Sequence, residues 1–100
     1  MNLQQMMIQA QKVQRELRKA QEEMHNKEFV VSKNGLVTVT VFGNKEIKSI
    51  VIEKDALEPD NKEIIEETIK SCINEVFKNI DEAEEEINEK ITGSRTGAGF

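Results

Sequence analysis

Within residues 29–53, FVVSKNGLVTVTVFGNKEIKSIVIE, three short apolar runs are separated by two reversals, and this stretch restricts the fold more tightly than any other. Asn34-Gly35 is the strongest kind of short hairpin signal, because a type I′ turn needs positive φ at both central residues and Asn and Gly tolerate it best. Gly43-Asn44 supplies the second reversal. Between them residues 36–42 alternate, with Val37, Val39 and Val41 on one face and Leu36, Thr38, Thr40 and Phe42 on the other. The pattern predicts a three-stranded antiparallel meander over roughly 28–33, 36–42 and 46–53. Such a sheet has two edges and at least one apolar face that needs covering. Two long helical segments, one on each side of the meander in the chain, are the expected covers.

In the first segment, residues 2–25, the apolar positions Leu3, Met6, Ala10, Val13, Leu17, Ala20 and Met24 step by three and four. That is an a/d seam, and it predicts a helix packed against another helix. Two alanines and two methionines make the seam narrow and adaptable, and a lone helix of this length is marginal in water. Away from the seam, Lys12, Arg15 and Lys19 lie within about 60° of one another at 100° per residue, a basic ridge with Arg18 toward its flank. Asn26-Lys27 closes the helix.

The second segment follows the connection KDALEPDNKE. Asp60 with Glu63 three residues on reads as an aspartate version of a capping box, placing the helix start near Asn61. Its apolar stripe, including Ile65, Ile69, Cys72, Val76 and Ile80, is wide to Ile80 and then narrows through the acidic run 81–86. The first half is expected to lie on the sheet and the second to run out past the body, with Gly93 ending the helix. Residues 1–92 then form one domain of α+β class in the order α-β-β-β-α, and 93–100 a flexible glycine-containing tail.

One hundred residues bury about two-thirds of the surface the unfolded chain exposes, so the core is thin. With aromatics at 4% it must rest on aliphatics, and their long regular spacings suggest completion by a second copy of the chain. The net charge of −5 is unevenly spread: residues 1–27 carry five Lys/Arg against three acidic groups, and residues 57–100 five against twelve. The whole-chain charge argues against non-specific DNA affinity, while the basic first helix leaves it open.

Little chemistry is on offer. The single cysteine, Cys72, excludes an intrachain disulfide and sits in the apolar stripe as a core thiol. His25 is the lone histidine, placed to favour the negative end of the first helix. A metal site needs three or four ligands, contiguous glutamates on a helix diverge, and the glycines near the end follow a helix where a phosphate loop would precede one. No enzyme, cofactor or metal is expected. The first residues lack the apolar run of a signal peptide and no span approaches about 20 apolar residues, so a reducing cytosol and no membrane are the expectation. Helix-turn-helix, zinc-finger and aromatic single-strand signatures are absent from the sequence, leaving backbone or shape recognition as the physical route to any duplex.

The order helix, meander, helix, read with MMIQAQKVQRELRKAQEEM at 6–24, GLVTVTVFGNKEIKSIVIE at 35–53 and ALEPDNKEIIEETI at 56–69, resembles the YbaB/EbfC family of bacterial nucleoid-associated proteins over nearly the whole chain. The tail GSRTGAGF departs from the family's pattern in lacking proline. The resemblance implies a homodimer with protruding helices in a tweezer-like shape, binding double-stranded DNA in the nucleoid, from genes often beside those of a replication clamp loader and a recombination-repair factor.

The sequence is compatible with two readings. In one, Lys12, Arg15, Lys19 and, at the flank, Arg18 touch DNA phosphates of a duplex bound by the dimer. In the other, the ridge is a solvated face in which Glu16 pairs with Lys12 and Lys19, and Glu23 with Lys19. The chain would then be an interaction module whose helices dock a replication or recombination-repair protein.

Overall fold

The computed structural model describes residues 2–93. Helix α1 (Leu3–Asn26) leads into strands β1 (Glu28–Lys33), β2 (Val37–Phe42) and β3 (Ile47–Ile52), and two short 3-10 turns, Lys54–Ala56 and Pro59–Asn61, lead into helix α2 (Lys62–Thr92). The sheet is an antiparallel meander in the order β1-β2-β3. Val39 stands opposite Val31 on one side and Ile50 on the other, so the three share a face. Asn34 and Gly35, at φ 58° and 63°, make the first turn as the sequence predicts.

Val37, Val39 and Val41 are buried on one face of the sheet with Val31, beneath Cys72, Val76 and Ile80 of α2. That face also carries Lys33, whose Nζ reaches Ser71 Oγ at 2.9 Å and Glu75 Oε1 at 3.2 Å on the flank of α2. On the opposite flank Lys45 pairs with Asp81 at 2.7 Å and lies over the Phe77 ring, tying the β2–β3 turn to the same helix. Both ion pairs are partly exposed, so they orient the helix more than they stabilise it. The sequence pattern misses a bulge between Thr40 and Val41, which displaces the register at the start of β3.

The cover of the sheet differs from expectation. Only α2 lies along it, against β1 and β2, while α1 packs on α2 and meets the core at its last turns through buried Met24. The second half of α2 therefore has a companion, with Ala83 and Ile87 packed toward the core beside Ala20 and Met24. The reason is geometric. Lys27 turns the chain straight into β1, so α1 leaves the body where α2 passes and runs antiparallel to it. Val30 and Val51, on the far face, stay more than half exposed as a result.

The helix ends also correct the sequence reading. α2 has no side-chain cap; Asp60 is inside the Pro59–Asn61 turn, where Asn61 N–H donates to Glu58 O at 2.9 Å, so this tight turn does what a capping box would have done. A capping box does exist on α1, where Gln5 N–H donates to Asn2 Oδ1 at 2.8 Å and Asn2 N–H to Gln5 Oε1 at 3.4 Å. Asn and Gln three apart before an apolar run are its legible signal. Gly93 ends α2 as expected, and the tail predicted from there lies outside the described residues beyond position 93.

Candidate nucleic-acid interface

The molecule is long and thin, with extents of 69 × 28 × 15 Å, because its helices extend past the sheet. A helix rises 1.5 Å per residue, so α1 is about 36 Å long and α2 about 46 Å. Their shared length is short. A groove between them is lined by Ala20, Glu23 and Met24 of α1 and by Ala83, Glu86, Ile87, Lys90 and Ile91 of α2. Toward its start α1 has no such neighbour among the described residues, and every residue from 2 to 12 is exposed. The seam is thus half used: Met24 is buried and Val13, Leu17 and Ala20 are partly so, whereas Leu3, Met6 and Ala10 are open to solvent.

Lys12, Arg15, Arg18 and Lys19 are all exposed on α1. None takes part in an ion pair among the described residues, so the pairings of Glu16 with Lys12 and Lys19, and of Glu23 with Lys19, do not form. The helical repeat sets Lys12, Arg15 and Lys19 roughly 130° round from the side of Ala20 and Met24 that meets α2. Their ammonium and guanidinium groups consequently project away from the acidic second half of α2. Successive charges sit three and four residues apart, about 4.5–6 Å along the axis, a row of hydrated cations with no low-dielectric wall beside it. Such a row can engage a line of anions through charge and hydrogen bonds; it holds no nucleophile or acid–base pair.

The remaining chemistry-bearing groups do not converge. Cys72 is fully buried with Sγ 3.9 Å from Val37 O, and burial pushes its thiol above the usual range, with Glu75 adding to the rise and Lys33 opposing it. No group of three or more His, Cys, Asp or Glu among the described residues could hold a metal ion. No helix among them is long and apolar enough to cross a membrane.

Comparison with known proteins shows the family to which the chain belongs. The profile of the YbaB/EbfC DNA-binding family matches residues 1–95. A "Nucleoid-associated protein" of Clostridium novyi is 43% identical over 101 residues, covering 100% of this chain and 89% of its own. One of Mycoplasmopsis pulmonis is 35% identical, covering 95% of this chain and 94% of its own. A crystal structure of an uncharacterized protein from Helicobacter pylori, 20% identical, superposes with a TM-score of 0.75 over 93% of this chain and 99% of that one, a likeness of fold. The chain belongs to the YbaB/EbfC DNA-binding family. That is a DNA-binding family and not a family of enzymes.

Proposed function

We propose that two copies of this chain bind double-stranded DNA through the phosphate backbone and the shape of the duplex, with Lys12, Arg15 and Lys19, flanked by Arg18, as the contacts, and that the protein acts in the nucleoid, in the cytoplasm, in organising DNA or regulating genes. The observation that carries this reading is the row of exposed cations along one side of α1, none of them in an ion pair among the described residues. A row of this kind gains affinity by releasing counterions from the duplex, and the gain does not depend on base sequence. The net charge of −5 doubles in a pair, so a duplex must approach from the side of α1 that faces away from α2. The cations lie on that side.

Support for a pair of copies comes from β3. Ile47 and Ile50 share the face of buried Val39 and Val41, yet each is 42% exposed because α2 covers β1 and β2 and stops short of β3. A second copy seated along that edge would bury them and remove an open strand edge.

The test is a salt titration of duplex binding by fluorescence anisotropy, with sedimentation equilibrium on the same sample. Four cations from each of two copies give a slope of log K against log salt of about −7, a loss of about 10⁴-fold in affinity between roughly 50 and 200 mM. A dimer mass with that slope is the expected result; a flat salt profile overturns the reading.

A further inference from the structure

Ile8 is 60% exposed on α1. Its place on the helix sets it apart from the other open apolar side chains there. Leu3 and Met6 belong to the seam, whereas Ile8, Lys12, Arg15 and Lys19 follow one another at steps of four, three and four and so form one straight stripe. Among the described residues it is the large exposed apolar side chain on the cationic stripe.

We propose that Ile8 is a wedge that enters between base pairs from the minor groove while Lys12, Arg15 and Lys19 hold the neighbouring phosphates, so that each arm kinks the duplex it binds. The inference rests on the DNA-binding reading above and adds to it what the arm does to the DNA.

Charge selects this occupant. Lys12 is one helical turn from Ile8, about 6 Å along the axis, and Lys19 about 16 Å. A protein surface that buried Ile8 by apolar contact would have to desolvate Lys12 beside it, whereas a duplex offers a phosphate to Lys12 and an apolar base stack to Ile8 within the same few ångströms. A second helix lying on the open seam residues Leu3 and Met6 would leave Ile8 outside that contact, since the stripe lies on the opposite side of α1. The side chain is also suited to insertion. A β-branched residue in a helix is held in essentially one χ1 rotamer, so little freedom is lost when it is gripped between bases. Met7 next to it, exposed and flexible, can follow the deformed groove wall.

The experiment uses a duplex with 2-aminopurine at pyrimidine–purine steps, where unstacking is easiest, and a donor and acceptor dye at its ends. The natural chain, Ile8→Ala and Ile8→Leu are compared for affinity, salt slope, 2-aminopurine fluorescence and end-to-end energy transfer, and for mass by sedimentation. The natural chain and Ile8→Leu should raise both optical signals. Ile8→Ala should keep the salt slope and stay within about threefold in affinity, which the phosphate contacts hold, and lose both signals. Binding by the natural chain with a steep salt slope but no unstacking overturns the wedge and leaves DNA binding standing. Absence of duplex binding by the natural chain overturns both. Dissociation of Ile8→Ala into single chains would assign Ile8 to a contact between copies and overturn the wedge.

Discussion

Gly43 lies against the backbone of Met24 so closely that a Cβ on it would stand 1.9 Å from the Met24 carbonyl oxygen, while the Gly43 N–H donates to Lys27 O at 2.9 Å. The β2–β3 turn and the last turn of α1 are thereby locked together, and the direction in which α1 leaves the body follows from that lock. Gly43→Ala must push the two apart. The change should cost about 2 kcal/mol or more in urea unfolding, because neither backbone can yield without breaking the hydrogen bond. An unchanged midpoint would contradict the close approach.

Val39 has no exposed surface and is flanked by Val31 and Ile50 under α2. A carboxylate there has no partner, and its burial costs several kcal/mol against a marginal total stability, so Val39→Asp should not fold. Circular dichroism checks this. A native spectrum from that variant would mean that the covered face has been misplaced.

The thiol of Cys72 gives a pH dependence whose sign is fixed. Its folded pKa is raised above the ordinary thiol value of 9.0 by burial, so the native state keeps the proton over a range in which the unfolded chain loses it. The contribution is fully present below about pH 9 and is lost as pH rises from there through the folded value. Cys72→Ala should be destabilised by about 1–2 kcal/mol at neutral pH, lack that alkaline decline, and bind DNA as the natural chain does. Stability against pH for both proteins is the measurement; parallel curves up to pH 10 would show that the thiol is not the group titrating. In the natural chain a thiol reagent should react only as fast as the protein opens.

The parts of this structure that were readable in the sequence are those set by local periodicity. Alternation in 36–42 placed Val37, Val39 and Val41 inside, and Asn34-Gly35 specified a turn whose φ values only a few residues accept. Periodicity says that a helix seeks a partner without saying which one. The seam of α1 therefore did not reveal that Met24 meets the core while Leu3, Met6 and Ala10 stay open. Gly43 reads as a turn glycine, but Lys45 holds the positive φ of that turn, at 71°, and Gly43 is needed for space against Met24, nineteen residues back in the chain. Such a contact leaves no local signature. The cationic row is visible from its spacing, whereas the seam, which collects most of the apolar residues of α1, does not include Ile8, four residues before Lys12.

The open edge of β3 gives a separate prediction. Ile50→Lys places a charge where a second copy is expected to sit, on a residue already 42% exposed, so folding of one chain should survive. The variant should sediment as a monomer with native circular dichroism, and its affinity for duplex should fall by well over tenfold because one set of arms replaces two. A dimer of unchanged mass would put the interface elsewhere on the chain.

Binding of duplex DNA at about 50 and about 200 mM salt, by the natural chain and by one with Lys12, Arg15 and Lys19 all changed to Gln, tests the central claim most directly. Removing three cations from each of two copies should reduce the slope of log K against log salt from about −7 to about −2 and lower the affinity at the lower salt with it, with little change in thermal stability since these side chains are exposed and form no ion pair among the described residues. Equal affinity and equal slope for the two proteins would contradict the account, and would mean that the row of cations on α1 is a solvated face and not the surface that meets DNA.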